Sequence, residues 1–229
     1  MEPRDEAGDA EHAVAPAGTD ERFVGFGVMG LPFSSGHLLA LRRFPVSTVV
    51  PAYSAVWLRD PAGVWTIAAT SPPEQSCSRY FGDAVERKID ADVGIEWTDG
   101  WSLRVSVDGG LDLDWTMHLR STPLTEAMSA ACTALPDAIW RKGWFSTAMG
   151  GMAEASLRAG TMRLMGGTPN RQRFVLRPRR LWLIDQSTAR LGGEDLGHPQ
   201  PLAGQAALAD FWLPQRGLFM AGWTAFAPE

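Results

Sequence analysis

Lysine is nearly missing from this chain. Of 21 basic residues only Lys88 and Lys142 are lysine, and with the abundant alanine and glycine this reads as the coding bias of a GC-rich genome. Tyrosine is as scarce, two residues against ten tryptophans and ten phenylalanines, which favours broad apolar walls over phenol chemistry. Cysteine is limited to Cys77 and Cys132, which form no CxxC pair. Neither a disulfide scaffold nor a cysteine metal site is thereby indicated, and free thiols in a reducing cytoplasm are expected. No run of 18 apolar residues occurs, and the N-terminus has acids where a signal peptide needs a basic region and an apolar run; a cytoplasmic chain without membrane insertion is expected. No P-loop, GxSxG elbow or HExxH is present, and His12, His37, His118 and His198 lack ligand spacing, so neither a metal nor a cofactor is indicated.

The net charge of −5 is also local. Seven acids and one base fall within the first 21 residues, so the rest of the chain is near neutral and offers no electrostatic footprint for nucleic acid. Residues 1–22, rich in Ala, Gly, Pro and acids without periodicity, read as a disordered acidic tail. Residues 23–229 then form one domain, a length at which β-sandwiches and barrels commonly stay undivided.

What the chain does have is hairpin punctuation. Tyr53 to Arg59 and Val64 to Thr70 flank Asp60-Pro61-Ala62-Gly63, and Ile95 to Thr98 and Trp101 to Arg104 flank Asp99-Gly100, the dipeptide suited to a two-residue turn. Asp108-Gly109-Gly110 reverses the chain into Leu111 to Arg120. There Leu111, Leu113, Trp115, Met117 and Leu119 alternate with Asp112, Asp114, Thr116, His118 and Arg120, so one face is core and the other is solvent or a polar lining. These signals predict an antiparallel meander.

At Thr122-Pro123 the period changes. Thr122 suits a helix N-cap and Pro123 its first turn, and a second helical stretch, about Trp144 to Arg158, ends before Gly160. A two-helix insert over 123–160 is therefore predicted. Strands return at Thr161 to Met165, Gln172 to Leu176 and Leu181 to Asp185; Ala206 to Phe211 reads as a helical turn and Leu218 to Phe226 as a last strand.

Gly25-Phe26-Gly27-Val28-Met29-Gly30 matches a dinucleotide fingerprint, but Leu31-Pro32 stands where a helix must begin. Glycines in a strand or bulge are the better account. Asp112 and Asp114 lie two apart on one strand face with His118 farther along it. In a dry cavity, repulsion and desolvation would raise one carboxyl and make a proton donor, whereas on a wet face nothing follows. Arg59, Glu74 and Tyr80 bracket a polar loop fit for a barrel mouth. His37 enters an apolar strand. Trp57, Trp97, Trp115 and Trp182 serve as core or as ligand walls, and Met128, Met149 and Met152 of the insert offer an adaptable surface.

The tryptophan-rich hairpins, Gly36-His37-Leu38-Leu39-Ala40-Leu41-Arg42-Arg43, and Trp182-Leu183-Ile184-Asp185 with the Gly-rich turn after it, resemble the lipocalin-like (calycin-like) group that includes carotenoid hydratase-type proteins. Pro72-Pro73-Glu74-Gln75 and Pro214-Gln215-Arg216-Gly217 are similar to strings in uncharacterised proteins of high-GC Gram-positive bacteria. The resemblance implies a mainly β fold, a closed or strongly curved antiparallel barrel holding an apolar molecule of isoprenoid, polyketide or fatty acyl type. The expected function is binding of that ligand, with cofactor-independent isomerisation, cyclisation or hydration. Asp112, Asp114 and His118 would move protons, and Trp57, Arg59, Glu74, Tyr80, Trp97, Trp115, Trp182 and His37 would bind. A non-catalytic carrier and a protein-interaction module with a packed core are the alternatives, and the reading allows a homodimer.

Overall fold

The structure, a computed structural model, describes residues 1–140 and 142–228. Strands occupy β1 Glu21–Val28, β2 Leu31–Pro32, β3 Leu38–Ser47, β4 Tyr53–Arg59, β5 Trp65–Ala69, β6 Arg87–Asp90, β7 Asp92–Trp97, β8 Ser102–Asp108 and β9 Leu113–Arg120. They resume at β10 Met165–Gly167, β11 Gln172–Leu191, β12 Glu194–Asp195, β13 Ala207–Leu208, β14 Phe211–Trp212 and β15 Leu218–Pro228. Helices are α1 Pro3–Glu11, α2 Ser78–Phe81, α3 Pro123–Ala134, α4 Asp137–Trp140 and α5 Gly143–Leu157.

The hairpins form where turn chemistry allows them. At Gly63 φ is +95°, and Asp60 accepts from Val64 N through its carboxylate at 2.9 Å. The Asp99-Gly100 loop is one residue longer than the dipeptide predicts, because Thr98 N donates to Ser102 O at 3.0 Å and the Asp99 carboxylate takes the amides of Trp101 and Ser102. An aspartate that caps two amides stabilises this wider loop.

Pairing runs β6-β5-β4-β3-β1-β15-β11-β9-β8-β7. The end strands β6 and β7 are consecutive, and β7 comes back against β4 and β5, so the sheet curls into a nearly closed barrel. It is not purely antiparallel: β5 and β6 pair in parallel, Thr66 opposite Arg87 through Ala69 opposite Asp90. Parallel neighbours need a crossover, and residues 70–86, with α2 and two short 3-10 turns, supply it.

The sheet has apolar residues on both faces. Leu39, Leu41, Val56, Leu58, Val105, Trp115, Trp182 and Phe219, from opposite sides of the barrel, pack together in its interior. On the outer face Tyr53, Trp57, Phe81, Phe174, Leu183 and Leu218 pack against Met128 and Cys132 of α3, Trp140 of α4, Met149 and Leu157 of α5, and the β13-β14 hairpin. Met128 and Met149 are thus core residues, and of the three methionines only Met152 is exposed.

Four further sequence expectations are corrected here. Residues 1–22 are not a bare tail, since α1 buries Pro3, Glu6, Ala7 and Ala10 against the barrel. Ala206 to Phe211 is no helical turn but a β-hairpin, reversed at Ala209 with φ +52°. The insert contains α4 between its two longer helices, and the strands expected at 172–176 and 181–185 are one continuous β11.

Candidate functional site

On β3 the side chains of Leu38, Ala40, Arg42 and Phe44 share one face by the two-residue repeat of a strand. That parity sends Arg42 into the outer apolar layer, 6% exposed. Its guanidinium donates to Val28 O at 2.5 Å, Leu41 O at 2.8 Å and Met29 O at 3.4 Å. It lies 4.8 Å from the Trp57 ring centre and 5.2 Å from that of Phe211, the cation–π distance range. No described carboxylate lies within ion-pair distance of it. Burial pulls its pKa down to about 10, with Cys77 and Tyr53 opposing the shift, and at neutral pH it stays a cation.

Two adjoining cavities of about 40 and about 30 Å³ share Arg42, Phe44, Leu176 and Thr224. The first runs over Gly25, Gly27 and Gly222. A Cβ at Gly25 would strike the Arg43 carbonyl, and one at Gly27 the Leu41 carbonyl, so close strand approach requires these glycines and the dinucleotide reading of the motif is not needed. The second cavity is walled by Tyr53, Trp57, Tyr80, Phe81, Phe174, Phe211 and Phe226, with the Cys77 thiol.

The polar groups here are donors. Tyr53 Oη and Cys77 Sγ are 3.3 Å apart, and the buried Trp57 Nε1 has the Cys77 sulfur as its weak neighbouring acceptor. Burial pushes the Cys77 thiol up although Tyr53, Arg42 and Trp57 favour the thiolate, and burial pushes Tyr53 well above the usual phenol value. Both are therefore neutral at pH 7. Tyr80 stacks on Phe226 at 3.7 Å and donates its hydroxyl to Glu21, which also meets Arg79 Nη2 at 2.8 Å. Burial would raise the Glu21 carboxyl, but hydrogen bonds from Tyr80 and Arg79 hold it below the usual range.

The residues expected to act together are separated. Trp57 and Tyr80 line the Arg42 cavity, whereas Trp115 and Trp182 pack in the barrel interior, Trp115 donating to Ser187 Oγ at 2.9 Å. Trp97 lines a cleft beside α1. Glu74 is exposed, Arg59 is half-buried and donates to Asp60 O, and His37 pairs with Ser35 at 2.9 Å. Burial lowers the His37 pKa, with Asp60 and Glu194 pulling the other way.

The face of β9 that carries the expected proton-transfer residues is the wet one. Asp114 is exposed and held by both nitrogens of the Arg104 fork at 2.9 and 2.8 Å, Asp112 sits in a turn before the strand with φ +47°, and His118 Nδ1 lies 3.0 Å from Ser102 Oγ. The Arg104 hydrogen bond lowers the Asp114 pKa, the opposite of what a proton donor needs.

Arg42, Tyr53, Cys77 and the phenylalanine walls were not singled out by motif. One signal existed, an arginine at core parity in Leu38-Leu39-Ala40-Leu41-Arg42. Among the described residues, no group of three or more His, Cys, Asp and Glu side chains is placed to hold a metal, and no helix is long and apolar enough to cross a membrane.

No family model matches the chain, and no curated protein is similar to it. Among solved structures, the crystal structure of acetoacetate decarboxylase from Legionella pneumophila subsp. pneumophila is similar at 14% identity and a TM-score of 0.44, over 94% of this chain and 87% of that one.

Proposed function

We propose that the chain binds a short apolar molecule carrying one anionic group, a carboxylate above all, with the anion on Arg42 and the body among Trp57, Phe81, Phe174, Phe211 and Phe226. A buried cation with no carboxylate partner carries this reading. An arginine fork matches a carboxylate geometrically, and Trp57 Nε1 and the neutral Tyr53 hydroxyl, both beside the Cys77 sulfur, can turn as donors to the same anion.

Volume bounds the ligand. Cavities of about 40 and about 30 Å³ are far below the roughly 300–1,000 Å³ of sites for drug-sized molecules, which favours a ligand of a few heavy atoms over an isoprenoid or polyketide. Tiny ligands gain at most about 1.5 kcal/mol per heavy atom, so a six-atom acid would bind no tighter than about a few tenths of a micromolar. The cavity linings hold no Asp, Glu, His or Lys, and such groups carry most acid–base catalysis at neutral pH. Binding, rather than isomerisation, cyclisation or hydration, is what these residues support.

Titration calorimetry of the wild-type chain against a panel of short aliphatic and aromatic carboxylates and their amides tests this. At least one acid is expected to bind more than tenfold tighter than its amide, and Arg42→Met should remove that preference. Equal binding of acid and amide, or an acid preference that survives in the folded variant, overturns the proposal.

A further inference from the structure

Helix α1 has little reason to exist by itself. It is nine residues long, lacks a side-chain N-cap and places Asp5 and Asp9 one turn apart; isolated helices under about 12–15 residues are marginal in water, and like charges four apart weaken them further. The groove in the barrel mouth holds it. Glu11 takes both arms of Arg43 at 2.9 and 2.7 Å, while the buried Glu6 carboxylate, 3% exposed, meets Arg179 at 3.0 Å and Arg180 at 2.8 Å.

The fit is nevertheless incomplete. Glu6 Oε2 and Arg180 Nε are both buried and lack a hydrogen bond, although they are 2.8 Å apart, so they touch as charges without alignment. Open clefts flank the helix. One of about 500 Å³ separates Arg4, Ala7 and Gly8 from Phe26, Ile95 and Trp97, and one of about 610 Å³ separates Met1 from Trp101, Ser129 and Trp182. A Cβ on Gly8 would meet nothing within 4 Å. The groove is thus wider than the alanine and glycine face lying in it, its walls mix aromatic rings with polar groups, and its rim carries Arg43, Arg179 and Arg180 with Glu126 farther along.

We propose that this groove is a docking site for an acidic amphipathic helix of a partner protein, with α1 as its internal occupant. The partner helix presents carboxylates to Arg43, Arg179 and Arg180 and a larger side chain, toward the cleft with Phe26, Ile95 and Trp97, where α1 has Gly8. Residues 12–20, which include Pro16 and Gly18 and form no helix or strand, tether α1 and let it leave without disturbing β1.

The probe is a fluorescent synthetic peptide of residues 1–14 carrying Gly8→Leu, titrated by anisotropy into the full chain. It is expected to bind the full chain carrying Glu6→Gln and Glu11→Gln at least tenfold tighter than the wild-type chain, because the weakened α1 competes less. A peptide that also carries Glu6→Gln should lose at least tenfold. In the wild-type chain, saturating peptide should speed amide exchange at Ala7 and Ala10 while that of β1 stays slow, a readout that does not depend on the variant folding. No binding to the wild-type chain even at saturating concentrations, equal affinity for two folded chains, or unchanged protection of α1 overturns the proposal. So does concentration-dependent dimerisation that blocks the peptide, which would assign the groove to a second copy.

Discussion

At the scale of single residues, the two arginines Arg42 and Arg104 show how burial decides the role of a charge. Arg104 and Asp114 are each 49% exposed, and an ion pair in water contributes about 0–1 kcal/mol. Asp114→Asn is therefore expected to change unfolding free energy by less than about 1 kcal/mol in a urea titration, and to leave ligand binding untouched. Arg42 has lost its water and has only carbonyls and rings around it. Arg42→Met takes a donor from the Val28, Leu41 and Met29 carbonyls, and a buried hydrogen-bonding group left unmade costs about 1–3 kcal/mol, so the variant should lose about that much stability while abolishing carboxylate selectivity. The pH dependence follows from its pKa of about 10. As a base whose folded value lies below the unfolded one, Arg42 loses its proton first in the folded chain, so the burden of burying its charge eases as pH rises through 10. Acid binding should accordingly be level from pH 6 to 9 and fall as pH passes about 10. A fall between pH 6 and 8 in calorimetric titrations would assign the anion to another group.

At the scale of elements, what the sequence disclosed is what local chemistry dictates. The alternation of β9 placed Leu113, Trp115, Met117 and Leu119 inside, and Thr122-Pro123 marked the start of α3. There Thr122 Oγ1 accepts from Thr125 N at 3.1 Å, and Thr125 Oγ1 accepts from Thr122 N at 2.8 Å. Thr122→Ala should lower stability by about 1 kcal/mol, the usual value of an N-cap, and speed amide exchange in the first turn of α3. The elements that were misread owe their form to distant partners. Helix α1 depends on Arg43, Arg179 and Arg180, which stand tens to well over a hundred residues away, and its own composition argues for disorder. The parallel β5–β6 pair has no local signature. Pro178 invites a break, yet β11 continues because the proline lies at a bulge, where the register against β15 shifts between Pro178 and Arg180. The site was the least legible part, since its tryptophans and tyrosine could be counted along the chain but their assignment to one or the other face of the sheet needed the register.

At the scale of the molecule, one curved sheet carries two apolar layers, one enclosed by the barrel and one pressed beneath the helices. Strand β11, 20 residues long, belongs to both. Its first part pairs with β15 and contributes Phe174 and Leu176 to the outer layer, while its second part pairs with β9 and contributes Ile184 and Ala189 to the interior. In mechanical terms β11 is a shared axle: neither layer can loosen while it is held, and neither can hold once it is released. Heating should consequently melt both layers together, even though Trp115 and Trp140 belong to different layers. Removing either ring while following the fluorescence of the remaining tryptophans should give midpoints that agree with far-ultraviolet circular dichroism in each variant. Two separated transitions would show that the axle can fail at one end while it still carries the load at the other.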